Sequence, residues 1–570
     1  MEDKLMSHGL MTIRDVFSQL TWLKCLAVLI FSCIVTRVIT GLRSQRNSDS
    51  TEARTPRVAP YWFPRFGHGP SFLWDHVGLL ESLRDSMGEP VFGIYLQGKV
   101  HNTVVSPSMI KTVLSQKPSG MIVLDQAMRN VFGDRTMVRS LRSNRNEEIG
   151  GDVSAIISKE SFITDTSKAI TRLLQRNAPN LVTFSRSPVD QAPWERDSSV
   201  SLSEQDQSIC EVNLFALVRD FVGHNITTLL LGEAFVESFP GTLQQFWTLD
   251  ANFVSLFAGF KRWTPTPGIS AGHAARYRLT HIMSVFYRAF TAWDNGIDPG
   301  IELRDLDDVS ELFKQRMRIF NKMDLSPQAS AAGMLSLHWD LMEYIVKMTF
   351  WNLVHIFADE ELLKDIRKEM APAVDSSRPN RRETGFPFDE PPKLNLDIEK
   401  MLQTCHLLKA CHYETIRLHS AGISLRELES DLTLTESAGE AIEPRTYNIR
   451  KGEKVLMPHG VYQNDQTRFS NPDQYDPLRY LVTNRTTGSK EANPDILGPF
   501  AEGLYTPKNN AFTERAILAF TASIVSMWVI SSADGKGLVV PPTRRAGALS
   551  CLRRMSRCMS KRRFKALFRS

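Results

Sequence analysis

The stretch at residues 499–520, PFAEGLYTPKNNAFTERAILAF, decides how the rest of the chain is read. Gly503 and the residues after it argue for a loop, and the second half sets Ile517, Leu518 and Phe520 at helical spacing. A helix starting near Phe512 would carry those three inward, with Glu514 and Arg515 beside them. Upstream, CHYETIRLHS (411–420) puts Glu414 and Arg417 three residues apart, on one helical face, where a carboxylate and a guanidinium pair bidentately. That spacing alone carries little, because Glu81 and Arg84 share it. Order carries more: FSNPDQYDPLRYL (469–481) then supplies Arg479, and the loop and helix follow.

In this order the segments resemble the C-terminal part of cytochrome P-450 enzymes, with their Glu-x-x-Arg helix, Asp-Pro-x-Arg turn, cysteine-ligand loop and Phe-x-Glu-Arg-x-Ile-Leu-Ala-Phe helix. Phe500, Gly503 and all of Phe512–Phe520 match, and the position of the haem-ligating cysteine is Pro507. No cysteine occurs between Cys411 and Cys551, so the absence survives any shift of alignment. Proline cannot ligate iron, and without the thiolate push the usual oxygen activation has no electronic basis.

The resemblance implies that Glu414, Arg417 and Arg479 form a buried network holding the helix to the meander before the loop. It sets Arg426 where relatives meet a haem propionate, the alternative being a surface arginine. RTYNIRKGEKVLMPHG (445–460) reads as strand, Lys451-Gly452 turn and strand, as the family has. In the central helix relatives carry a small residue, an acid or amide, and a threonine or asparagine that deliver protons to bound oxygen. Registered on Trp339 and FWNLVHI (350–356), this chain has Asp340, Leu341, Met342, Glu343, Tyr344 and Ile345. Isoleucine relays no proton, and Tyr344 would fill space above the iron. The resemblance runs from Pro56 to Phe520 and looks most like the fungal biosynthetic branch near sterol 7α-hydroxylases and prostacyclin synthases. Prostacyclin synthase is an isomerase, so the likeness does not fix the reaction as monooxygenation.

Composition agrees with a large globular chain: 570 residues, 42% hydrophobic, net charge +5, with much of the positive charge in the last thirty residues or so. That end reads as a solvated basic tail, or as a contact with an anionic membrane surface. Nothing points to nucleic acid. The seven cysteines are scattered rather than arranged as a disulfide framework, which makes a reducing compartment the default.

The fold class expected is α+β, predominantly helical, a cytochrome P-450-like fold with small β-hairpin sheets and an N-terminal membrane anchor. Residues 1–43 are read as tail and anchor: Leu20–Leu42 is apolar, interrupted by Lys24 and Arg37, whose stems can snorkel. Arg37, Arg43 and Arg46 would hold the C-terminal side in the cytoplasm, with the endoplasmic reticulum as the membrane. A polar linker and proline-spaced hinge fill 44–70, the globular domain 71–543, and the basic tail 544–570. Phe72–Met87, Val212–Leu231, Leu243–Phe260 and Ala331–Met370 show helical patterns, and Pro90–Val105 a hairpin about Gly98-Lys99.

The donor or acid residues singled out are His338, Asp340, Glu343, Tyr344 and Tyr505. Against each stands a plainer role: Glu343 paired with Lys347 at helical spacing, His338 packed in the core, Tyr505 on a surface loop. Cys405, His406, Cys411 and His412 do not converge on one helix, so no metal site is expected. Asn225 and Asn484 begin chance sequons.

Three functions remain open on the sequence. One is a non-redox cyclase or isomerase, of Diels-Alder type, acting on a terpenoid or polyketide in the retained apolar pocket. The second is a haem monooxygenase of a lipophilic metabolite; the third is a pseudoenzyme that partners an oxygenase. The first carries the expectation of no cofactor, with haem considered only without cysteine ligation and a redox partner not expected if haem is absent.

Overall fold

In the computed structural model the described residues are 2–45, 53–96, 98–116, 125–136, 156–196, 198–203, 209–377, 392–420, 422–437, 444–485, 488–500, 507–532, 538, 540 and 565–569. The principal elements begin with α1 (Glu2–Gln45), β1 (Arg57–Val58), α2 (His76–Met87), β2 (Val91–Leu96) and β3 (Lys99–Val104). The middle of the chain supplies α3 (Glu160–Asn177), β4 (Ser201–Leu202), β5 (Ile209–Asn213), α4 (Leu214–Leu231), α5 (Thr242–Ala251), α6 (Ile269–Asp294), α7 (Glu311–Lys322), α8 (Pro327–Ala358) and α9 (Glu360–Met370). Then come α10 (His406–His419), β6 (Ile423–Glu427), β7 (Leu432–Thr435), β8 (Thr446–Ile449), β9 (Lys454–Pro458), α11 (Pro507–Met527), β10 (Val529–Ser532) and β11 (Lys565–Arg569). The protein is predominantly helical with small sheets, as the sequence led one to expect.

The chain divides into two units, the smaller built mainly from residues 1–119 and 422–462, the larger from 120–421 and 463–544. In the smaller, a five-stranded sheet runs in the order β1-β2-β3-β9-β6. β2 and β3 form the expected hairpin, Leu96 opposite Lys99, with Gly98 supplying the left-handed φ of 80° at the turn. β9 lies parallel to β3 and antiparallel to β6, while β7 and β8 pair separately. Leu80, Phe92, Ile94, Leu456 and Val461 make its core.

The larger unit is organised on α8, 32 residues long, or about 48 Å at the α-helical rise. Ser326 accepts the Ala329 amide and Pro327 opens the first turn, so the helix starts on a capped, pre-set end. Asp359 ends it and caps α9 by accepting the Leu362 amide at 3.0 Å. α4 is apolar enough to cross a membrane by composition, but 89% of it is buried inside the unit, which makes it a core helix.

Two local readings need correction. α11 begins at Pro507, five residues before Phe512, because proline at a first helical position costs no hydrogen bond and the two asparagines that follow continue the turn. It does carry Ile517, Leu518 and Phe520 inward, each 2% exposed or less. The chain end is not wholly a solvated tail: β11 lies between β10 and β5 in a four-stranded sheet, its backbone paired on both edges. Its partners stand far away in sequence, which basic composition cannot reveal.

Candidate functional site

The larger unit holds its C-terminal helices together through one carboxylate. Glu414, fully buried on α10, receives Arg417 bidentately, Nε to Oε2 at 2.8 Å and Nη2 to Oε1 at 2.7 Å. The Asp476 amide and Arg479 Nε donate to the same Oε1 at 3.0 and 3.2 Å. Arg417 also donates to the Gln463 and Gln474 carbonyls and covers the Phe469 ring. Every strong acceptor and donor is used, as a buried ion pair requires. The network holds the segment 463–479 against α10 and leaves no group free for chemistry.

On α8 the situation differs. Between Ala329 and Phe357 the only positions that are not buried are Ser336, Trp339, Asp340, Glu343, Lys347 and Trp351, which recur every three to four residues and so form one stripe. Of these Asp340 alone is exposed. Among the described residues it has no hydrogen-bond or ion-pair partner, and desolvation pushes its carboxyl up to about 6. Asp340 is thus accessible to a water-sized sphere and yet desolvated by the protein packed around it, midway along an otherwise enclosed helix. Burial by the surrounding atoms disfavours the charged carboxylate, which is why the carboxyl is raised.

The neighbouring candidates are engaged. Glu343 pairs with Lys347 one turn on. His338 is fully buried, its Nε2 3.1 Å from the Thr227 hydroxyl and its ring edge-on to Phe246, and burial lowers it to about 3. It is a neutral core imidazole. Tyr344 is 7% exposed; burial, then the Glu514 charge, raise its phenol, so it stays protonated and can only donate or accept a hydrogen bond. Glu514 on α11 accepts the Tyr413 hydroxyl at 3.0 Å, linking α10 to α11. Trp339 stacks on Phe253 with ring centroids 4.2 Å apart and donates Nε1 to Asp250 at 3.0 Å, which fixes the backbone next to Asp340.

Sequence reasoning missed several of these groups. The Tyr413–Glu514 link and the His355–His419 pair, whose Nε2 atoms lie 2.8 Å apart, join residues distant in the chain. No local spacing signals them. Arg426, half-buried in the smaller unit, donates Nη1 to the Gln116 carbonyl at 2.8 Å, and burial lowers its guanidinium. Tyr505 lies outside the described residues, and Pro507 is the first residue of α11. Cys405 and Cys411 are buried thiols pushed up to about 11 and about 12, and no cluster of three metal-binding side chains occurs among the described residues. Asn225 is buried in α4 and bonded to Asn177, a packing role.

A long central helix, a Glu-Arg-Arg lock and small sheets define the class: a predominantly helical scaffold with minor β structure. Comparison with known proteins places it more narrowly. The cytochrome P450 family model matches residues 346–504. Over 555 residues the chain is 23% identical to "Cytochrome P450 7A1" of Oryctolagus cuniculus, covering 96% of this chain and 99% of the relative. It is 20% identical to "Cytochrome P450 monooxygenase poxD" of Penicillium oxalicum over 82% of this chain and 86% of the relative. A shorter match, 40% identical over 88 residues, is to "Cholesterol side-chain cleavage enzyme, mitochondrial" of Capra hircus, 15% of each chain. The chain is similar to the cytochrome P450 superfamily, through the family model over residues 346–504 and through relatives 20–23% identical over most of its length.

That likeness corrects the expectation that no cofactor is bound, because the family whose model matches uses haem, and the expectation of no redox partner loses its premise with it. The donor set nevertheless lacks the thiolate. The described cysteines are Cys25, Cys33, Cys210, Cys405 and Cys411, and residues 412–550 contain none. Among the described residues no cysteine beyond Cys411 offers a thiolate to that haem.

Proposed function

We propose that this P450-like enzyme binds a lipophilic small molecule, a terpenoid or polyketide, against the open stripe of α8 and rearranges it without net oxidation, by cyclisation or isomerisation, including closures of Diels-Alder type. The observation that carries the reading is Asp340, an unpaired, desolvated carboxyl on the accessible stripe of the central helix. Near neutral pH a fraction of it is protonated, so it can donate to a substrate carbonyl and withdraw electron density as bonds form. The apolar surroundings hold a flexible chain near its reactive geometry, which removes much of the entropic barrier. Glu343 and Lys347 neutralise each other, and among the described residues Asp340 has no ion-pair partner. α1, apolar and long enough to cross a bilayer, would anchor the enzyme to the endoplasmic reticulum with its globular part on the cytoplasmic side.

The test is incubation of the purified full-length protein with a panel of polyene terpenoids and polyketides, with and without reductant and oxygen, followed by mass spectrometry. The reading expects an isomer of unchanged mass formed without reductant, lost in Asp340→Asn. A second reading, haem monooxygenation of the same class of substrate, is favoured by the names of the relatives. It expects a product one oxygen atom heavier, formed only with reductant and oxygen.

A further inference from the structure

One cation inside the larger unit has no counter-charge among the described residues. α7 is amphipathic, and its buried face consists of Leu312, Phe313, Arg316, Met317 and Phe320. Arg316 thus occupies a position where the helical period calls for an apolar residue, and it is only 9% exposed. Burial lowers its guanidinium to about 10, which still leaves it charged near neutral pH. Its polar contacts are few. Nη2 donates to the Gly333 carbonyl of α8 at 3.2 Å, the cation lies 5.1 Å from the centre of the Phe320 ring, and the enclosed Nε makes no hydrogen bond. The Gly333 carbonyl also accepts the Ser336 hydroxyl at 2.9 Å, so Arg316 has only a share of a neutral acceptor.

The acid that the same helix offers is committed elsewhere. Glu311 accepts from Gln315 and faces Arg318, which takes Asp294 as well. Desolvation alone acts on Arg316, with no charge of either sign beside it. Arg417, equally enclosed, shows the usual solution, a carboxylate received on two nitrogens of the fork. An enclosed ion without a counter-ion is among the most unfavourable arrangements a fold can hold, and a ring face and a shared carbonyl offset only part of it. The stretch of α8 that Arg316 reaches, Ser330-Ala331-Ala332-Gly333, consists of small buried residues, which set little side-chain bulk against the guanidinium.

We propose that Arg316 anchors an anion-binding site between α7 and α8, which takes a monovalent anion of chloride size as the missing counter-ion. One guanidinium with no second cation beside it matches one negative charge, whereas a phosphate or sulfate would leave excess charge buried in its turn. Enclosure limits the ligand to a few atoms, and the unused Nε–H supplies a charge-assisted hydrogen bond to it. Bound there, the anion ties α7 to the N-terminal half of α8, so its occupancy adds to stability by mass action. The inference does not depend on the reaction assigned to α8.

The test is the thermal midpoint of the purified full-length protein at constant ionic strength, with potassium gluconate replaced stepwise by potassium chloride. Gluconate is too large for an enclosed site. Arg316→Met, similar in length and uncharged, is measured in the same salts so that general salt effects cancel. The proposal expects the wild-type midpoint to gain a few degrees on the variant as chloride rises, and the gain to saturate. It expects Arg316→Lys, which keeps the charge but loses the fork, to retain the dependence at weaker affinity. Crystals of the wild type grown in bromide supply a readout that needs no variant: an anomalous peak at hydrogen-bonding distance from the guanidinium. A gain that never appears overturns the proposal. So does a saturable gain shared by Arg316→Met, which places the anion elsewhere. If Arg316→Met does not accumulate folded, the bromide map decides, and the absence of a peak at Arg316 overturns it.

Discussion

Two carboxylates of the larger unit stand in opposite circumstances. Glu414 accepts from Arg417, Arg479 and the Asp476 amide and is fully buried; Asp340 has no partner among the described residues and is exposed on the stripe of α8. The first is charged and held, and it holds shape. The second is accessible and poorly solvated, the condition in which an acid is kept near neutrality for use. Structural acids are recognised by what they touch, candidate reactive ones by what they face.

The largest effect expected from breaking this comparison is at the satisfied end. Arg417→Ala leaves the buried Glu414 carboxylate with only Arg479 and the Asp476 amide, and breaking such a pair costs about 3–5 kcal/mol. Denaturant unfolding should show it, or the variant should fail to accumulate folded. At the other end, Asp340→Asn removes an acid without breaking any contact made by Asp340 to the described residues. Turnover of the mass-conserving product should fall by about 10²–10⁴-fold, the range for a lost general acid, while the thermal midpoint holds or rises. A stable variant with undiminished turnover would remove Asp340 from the chemistry.

Smaller effects sharpen the boundary between the two kinds of group. Tyr413→Phe deletes the hydroxyl donor to Glu514 and should cost about 1 kcal/mol in unfolding free energy. Glu343→Gln breaks a half-exposed i,i+4 pair with Lys347 and should change stability by less than about 1 kcal/mol. A large loss of turnover in this variant, with stability unchanged, would bring Glu343 into the site beside Asp340.

Much of the scaffold was legible because its signals are local. The hairpin about Gly98, the helical pattern of 331–370 and the 414–417 spacing need only neighbours a few residues apart. The Glu343–Lys347 pair followed from helical spacing in the same way. What stayed hidden depends on distant partners. β11 pairs with β5, more than three hundred residues earlier, and nothing in a basic terminal segment announces it. Asp340 stood among five candidates, but α8 is buried almost all round, so its periodicity could not show which face carries the accessible stripe. The unpaired state of that carboxyl is a property of packing alone. Family likeness, in turn, restored haem to the account where one missing cysteine had argued it away.

The most direct test of the central claim is the pH dependence of thermal stability of the wild type beside Asp340→Asn. Desolvation lifts the Asp340 carboxyl from an ordinary 3.8 to about 6, so the folded state holds that proton more tightly than the unfolded chain does. The stability associated with it is fully present below 3.8 and is lost as pH rises toward and through 6. The wild type should therefore lose ground to the asparagine variant across that window and run parallel to it above. Parallel curves throughout would mean an ordinary, solvated carboxylate, and would contradict the account.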